Sequence, residues 1–444
     1  MITCRPILPL RSQWLVIKPS AVVHIPLVPV TSEVILAASH TGKDPNMIRT
    51  TQTFPSPVME SRRWIEGVTF PPDRPLINVS QAAPVDLPPE PLRQAIADAA
   101  MNLPQAHLYG PVLGLPELRQ EVADQFATGY GGDIGAQNVC ITSGCNQAFC
   151  AAIMTLTGEG DEVILPTPWY FNHKMWLDMT GVRATPLPTG AGLLPDPDLA
   201  EAMITDRTRA IVLVTPNNPG GVEYPAELIA AFRDVARKAG IALIVDETYR
   251  DFHSQSGPAH DLFTDPDWDD TLIQLYSFSK AYRLTGHRVG AMVAAPARLA
   301  EVEKFLDTVT ICPNQLGQQA ALWGMRNLGQ WLAGERAEIL DRRAAIEDGF
   351  PALADQGWKL LGAGAYFAYV EHPFKRGSDQ LAQEMVEAIG VLALPGTMFM
   401  PTDDPAGLRQ LRIAFANIDR AGIGHLFERL GGLRSALVPN RVSA

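Results

Sequence analysis

Cysteine is scarce in this 444-residue chain, with five residues in all: Cys4, Cys140, Cys145, Cys150 and Cys312. So few thiols, in an odd number, exclude a disulfide framework. Cys140, Cys145 and Cys150 stand five apart without a histidine cluster, and zinc sites use shorter cysteine spacings, so they read as small buried residues. A reducing cytoplasm fits this usage. Positive charge is short as well. The formal net charge is −12, which argues against a broad basic face for nucleic acid. No uncharged apolar run reaches the roughly 18 residues that a membrane-spanning helix needs. Internal repeats and low-complexity tracts are also missing.

What is present is a globular composition, 46% hydrophobic and 19% charged, long enough for two or three domains and a large core. Residues 1–46 stand apart. Arg5, Arg11 and Lys18 precede an apolar stretch in the manner of an export signal, but Pro19 heads that stretch and Pro26 and Pro29 interrupt it. These residues are expected as a poorly ordered extension, or as sequence upstream of a start at Met47 or Met59. From 138 to 295, short apolar runs alternate with helical patterns. The runs are NVCIT (138–142), EVILP (162–166), RAIVLVT (209–215), IALIVD (241–246), TLIQLY (271–276) and VGAMVAA (289–295). Runs apolar throughout are the pattern of strands covered on both faces. PAELIAAFRDVARKAG (225–240) between two of them ends in Gly240, as a helix should. The alternation predicts an α/β fold with a mainly parallel sheet flanked by helices. A long helical region (297–350) follows, and a mixed pattern closes the chain. That C-terminal part, with residues near 50–95, is expected to make a smaller α/β domain.

Ligands of such sheets gather at the carboxyl ends of the strands, and the polar residues of this chain fall there. TSGCNQAF (142–149) is a glycine turn opening into a helix, whose free N–H groups suit an anion. TPNNPGG (215–221) offers the Asn218 amide beside a rigid turn. DETYR (246–250) ends an apolar strand with Asp246, a charge that needs a buried partner. YSFSKAYRLTGHRVG (276–290) sets Lys280 at a strand end, with hydroxyls before it and Arg288 eight residues later. A lysine, an anion cradle, an arginine and a buried aspartate together meet the needs of pyridoxal 5′-phosphate (PLP): an amine to attach it, an anion for its ring nitrogen and donors for its phosphate.

On these ordered motifs the sequence resembles the class I/II aminotransferases of PLP fold type I over roughly residues 75–420. The resemblance implies that Lys280 is the Schiff-base lysine and that Ser277 and Arg288 bind phosphate, with Gly144, Cys145 and Asn146 forming the phosphate turn. It implies Asn218 and Tyr249 at the ring hydroxyl and Asp246 at the pyridinium nitrogen. In PWYFNH (168–173) it implies Tyr170 stacked on the ring and His173 supporting Asp246. In YGPVLGLPELR (109–119) it implies Tyr109 reaching the phosphate of a neighbouring subunit, so that a homodimer shares its active sites. In LRIAF (411–415) it implies Arg412 on the substrate α-carboxylate, a group its planar fork matches. The domain boundaries that follow are an extension (1–46), an arm joining the small domain (47–95), a large PLP-binding domain (96–325) and a small C-terminal domain (326–444).

The chain departs from that family in places. VSQAAP (79–84) puts Ala82 where a substrate-facing glycine is usual, and NNPGG lacks the usual threonine. Asn146 stands where some aspartate-specific relatives have lysine, which favours neutral, apolar or aromatic amino donors. The implied activity is transfer of an amino group from an L-amino acid to a 2-oxo acid, within amino-acid metabolism. The alternative is another fold type I reaction, a β-eliminating C–S lyase or a PLP-dependent oxidase. A sensor domain of a transcription regulator is set aside, because residues 1–60 are broken by proline and carry no basic helix. Tyr282, Arg283 and His287 carry no expected role.

Overall fold

The computed structural model describes residues 48–436, with side chains to 433. The extension expected over 1–46 lies outside the described residues. Seven strands make the main sheet: β1 (Val139–Thr142), β2 (Glu162–Thr167), β3 (Arg183–Pro188), β4 (Thr208–Val214), β5 (Ala242–Asp246), β6 (Leu272–Ser277) and β7 (Gly290–Val293). Their order is β1-β7-β6-β5-β4-β2-β3. β7 runs antiparallel to both neighbours and the other pairings are parallel. Every residue of β1, β2, β5, β6 and β7 is buried. Ile211, Leu213, Leu243 and Val245 face one core, while Ala210, Val212, Ala242 and Ile244 face the other, the period-two alternation of a strand between two layers.

The sequence pattern passed over β3. RATPLP is half-exposed and carries two prolines, which an edge strand tolerates because it pairs on one side only. The helical region at 297–350 is likewise divided, into helices Pro296–Thr310, Gln315–Asn327 and Gly329–Gly349. Pro313 cannot donate a helical hydrogen bond. Asn314 starts the next helix by accepting from the Gly317 N–H at 2.7 Å. Helix Ala226–Ala239 does end at Gly240, with φ +66°.

A second sheet comprises β8 (Lys359–Gly364), β9 (Phe367–Glu371), β10 (Leu394–Pro395) and β11 (Gln410–Ile413), antiparallel in the order β10-β11-β9-β8. Its core gathers Phe367, Val370, Leu411, Ile413, Ile346 and Leu426. Val79 from the N-terminal arm joins this core, and Ile77 pairs in parallel with Val391. Arm and C-terminal segment are thereby one packed unit. Cys140 and Cys145 are buried, whereas Cys150 and Cys312 are only half-buried. Among the described residues no helix is long and apolar enough to cross a membrane.

Candidate active site

A cavity of about 360 Å³ opens at the carboxyl ends of β4, β5 and β6. Its wall brings together Cys145, Asn146, Tyr170, Asn218, Asp246, Tyr249, Ser277, Lys280, Arg288, Arg412 and Ala82. Residues more than 300 positions apart thus meet at one surface.

Asp246 ends β5 and is 3% exposed. Its Oδ2 lies 3.3 Å from His173 Nε2, and its Oδ1 accepts from the Thr248 N–H (3.0 Å) and hydroxyl (2.8 Å). Burial by itself would raise the carboxyl pKa. The His173 contact and the two Thr248 bonds overcome that and hold it below the usual range. His173 is fixed in turn by Phe149, stacked on it at 3.8 Å. Asp246 is therefore a fixed anion with one face toward the cavity.

Lys280 sits on the short turn Phe278–Ala281 that follows β6. Burial, and then the charges of Arg288 and Arg412, bring its pKa down to about 7. Its Nζ donates to the Ala82 carbonyl at 2.5 Å. An amine in this state is free base for much of the population at neutral pH, as a nucleophile or base must be.

Opposite it is an anion cradle. Cys145 and Asn146 begin the helix Cys145–Leu156 and line the cavity, so unpaired N–H groups of a helix start lie at its wall. Gly144, with φ +88°, turns the chain into that helix, and a Cβ there would collide with the Arg288 guanidinium. A Cβ on Gly290 would come within 2.6 Å of the Gly144 carbonyl carbon. Both glycines permit β7, the turn and Arg288 to pack this closely. Arg288 donates to Ser279 Oγ (3.3 Å) and the Thr285 carbonyl (3.1 Å). The serine in contact with Arg288 is Ser279; the Ser277 hydroxyl instead accepts from the Ser279 N–H.

Arg412, on β11, is 2% exposed. It donates to Asn218 Oδ1 at 3.1 Å and to the Ser80 carbonyl. Its Nε has no partner among the described residues. The rings of Phe399, Phe367 and Phe171 surround the guanidinium at 4.9–5.8 Å, and this burial lowers its pKa to about 10. A buried cation with an unsatisfied donor and a carbonyl for a partner is poised for an anion. Tyr170 accepts from Asn172 Nδ2 (2.8 Å) and donates to Asn146 Oδ1 (3.3 Å). Burial, then the Asp246 charge, push its hydroxyl up to about 12. Tyr249 is 4% exposed beside Tyr366 and Phe367.

Tyr109 is outside the cavity and 81% exposed. Thr248, Ser279, Thr285, Phe171 and Val58 line the wall without having been singled out in the sequence. Ser279 and Thr248 stand inside motifs already marked, so adjacency could have found them. Val58 carries no sequence signal, because its place depends on how the arm folds back.

The donor set fits PLP. An anionic phosphate matches Arg288 and the helix start, a protonated ring nitrogen matches Asp246, and an aldehyde matches Lys280. Comparison with known proteins agrees. Residues 74–430 match the family described as Aminotransferase class I and II. A valine–pyruvate aminotransferase of Mycobacterium tuberculosis is 30% identical over 350 residues, 77% of this chain and 87% of that protein. An aromatic aminotransferase of Arabidopsis thaliana is 29% identical over 300 residues, 65% of this chain and 73% of that protein. The solved structure of an aminotransferase from Mycobacterium tuberculosis superposes with a TM-score of 0.77 at 26% identity, covering 88% of this chain and 99% of that one. The chain belongs to the class I and II aminotransferases, whose members transfer amino groups with PLP.

Proposed function

We propose that this chain binds PLP through Lys280 and passes the amino group of a neutral, apolar or aromatic L-amino acid to a 2-oxo acid. The observation that carries the reading is one cavity holding a lysine of pKa about 7, a buried aspartate and two arginines at separate stations. The cofactor, when bound, supplies an electron sink for the substrate Cα. The protein supplies the rest. Asp246 holds a proton on the ring nitrogen by its fixed charge, oriented by His173 and Thr248. Asn218 and Tyr249, in the cavity wall, would donate to the ring hydroxyl, and Tyr170 would lie against the ring. Arg288 and the N–H groups of the turn at Gly144, Cys145 and Asn146 hold the phosphate, with Ser277 and Ser279 beside them. Arg412 exchanges the Ser80 carbonyl for the substrate α-carboxylate, which fixes the direction of the Cα–H bond. Once the substrate amine has displaced it from the cofactor, Lys280 Nζ would be a free amine beside the substrate, placed to take that proton and later to give it back.

Asn146 gives the turn no cation of its own for a second carboxylate, which supports neutral donors, as do the names of the valine–pyruvate and aromatic aminotransferases. Six other relatives are named aspartate or aspartate/prephenate aminotransferases, so aspartate belongs in the donor panel. Exposed Tyr109 supports a homodimer in which it completes the neighbour's phosphate site, and the small number of cysteines supports the cytoplasm. The separate cores of the two sheets support a large domain over 96–325, and a small one from 326–444 with the arm 47–95. The test supplies valine or phenylalanine with 2-oxoglutarate and PLP, and follows both products. Equal amounts of the donor's oxo acid and of glutamate support transfer. Pyruvate and ammonia released from cysteine without an acceptor would overturn it. Borohydride treatment should fix PLP onto the Lys280 peptide, and Lys280→Ala should lose both the adduct and the activity.

A further inference from the structure

The segment 78–87 crosses the substrate half of the cavity, with Gln81, Ala82 and Ala83 in its wall. Its start is gripped by one side chain. Asn417 Nδ2 donates to the carbonyls of Asn78 (3.2 Å) and Gln81 (2.6 Å), and Asn417 Oδ1 accepts from the Ala83 N–H (3.4 Å). Asn417 lies on the turn Phe415–Asn417, five residues beyond Arg412. Its amide therefore grips the same segment whose Ser80 carbonyl Arg412 holds. The far end is held by Arg283, which forms a fork with Glu335 at 2.8 and 2.9 Å and donates to the Leu87 carbonyl at 3.2 Å. Asp86 approaches the same guanidinium at 3.4 Å. Arg283 has φ +54°, a backbone region that a non-glycine residue occupies only where its surroundings impose it.

We propose that Asn417 is a positioning residue of the substrate site: with Arg283 it pins the two ends of segment 78–87, and the span between them is a wall that shifts when a carboxylate takes Arg412 from Ser80. A carboxylate forms charge-assisted, two-pronged hydrogen bonds to arginine that are roughly twice as strong as those to a neutral carbonyl. Binding therefore releases Ser80, and what fixes the wall afterwards is the amide of Asn417. The proposal rests on the reading that Arg412 receives the substrate carboxylate.

The experiment uses the PLP-loaded enzyme with Asn417→Ala, Asn417→Asp and Arg412→Lys. The probe is 3-phenylpropanoate, a carboxylate without an amino group, with binding read by calorimetry. Asn417→Ala is expected to raise the probe Kd and the donor KM about tenfold, the scale of a lost positioning contact. The kcat should stay within about threefold and PLP affinity within about twofold. Amide hydrogen exchange over 79–87 should change on probe binding in the wild type and be fast in the variant with or without the probe. Asn417→Asp keeps the size and the acceptor, and it gives the same result through loss of both donor contacts if the alanine variant folds poorly. Kd, KM and exchange all within twofold of wild type in both variants would overturn the proposal. Arg412→Lys separates the two ideas. If it binds the probe as tightly as wild type, the carboxylate assignment fails. If it binds weakly while the Asn417 variants bind normally, only the positioning role fails.

Discussion

Asp246 and Glu247 are consecutive, buried and each 3.3 Å from a histidine Nε2, yet they face two different worlds. Asp246 lines the cavity that Lys280, Arg288 and Arg412 also line. Glu247 points to the other side of the sheet, as alternation along a strand requires. There its Oε2 accepts from the Tyr130 hydroxyl at 2.6 Å, from Gln274 and from His260. Nearby, the Arg250 guanidinium lies 4.0 Å over the ring of Phe126. Burial would raise the Glu247 pKa, but His260, Arg250 and Tyr130 bring it down to about 2. Both groups are stabilised anions with histidine partners. A perturbed carboxylate is therefore not the mark of this active site; open volume lined by Lys280, Arg288 and Arg412 is.

The comparison can be broken in two ways. Asp246→Asn should cut kcat/KM by about a thousandfold, the upper range for removal of one preorganised charge interaction, with little loss of stability. Steady-state kinetics beside urea unfolding would show it, and a loss below tenfold would mean that both carboxylates serve the fold. Glu247→Gln should do the reverse. It removes a buried charge from among the Tyr130, Gln274 and His260 donors and the Arg250 cation, at a cost of about 2–4 kcal/mol in unfolding free energy, while kcat/KM stays within about threefold. A larger catalytic loss with unchanged stability would join the two faces into one machine.

The sequence announced one face better than the other. Asp246 and Lys280 were legible because polar residues that follow fully apolar strands have few structural uses, and Arg288 and Arg412 because their order along the chain is that of a known family. Glu247 was adjacent to a marked residue and passed over, since nothing local shows that Tyr130, 117 positions earlier, supplies its donor. Arg283 carried no expected role for the same reason; its fork with Glu335 depends on how helix Gly329–Gly349 packs. β3 was hidden by its prolines, which only an edge position explains. What sequence alone could not place was what distant segments bring to one point: Val58, Asn417 and the partners of the buried network.

The smallest effect is expected in the titration of Lys280, and it sharpens the contrast most directly. In the cofactor-free protein its pKa is about 7, against roughly 10.4 for a free lysine. The protonated amine is disfavoured by burial first and by two cations second, so the reactive free base prevails above pH 7 and is lost below it. The rate of PLP capture should therefore rise about tenfold per pH unit below 7 and level off above it, whereas a solvated lysine would keep rising to about pH 10. Arg412→Met removes one cation and should move the midpoint upward by less than about one unit, because burial, the larger cause, remains. Glu247→Gln should leave the midpoint where it is, since its charge is spent on the far side of the sheet. Capture rates measured from pH 5.5 to 9.5 in the three proteins would decide it. An equal shift in both variants would show that the electrostatics of the two faces are not independent.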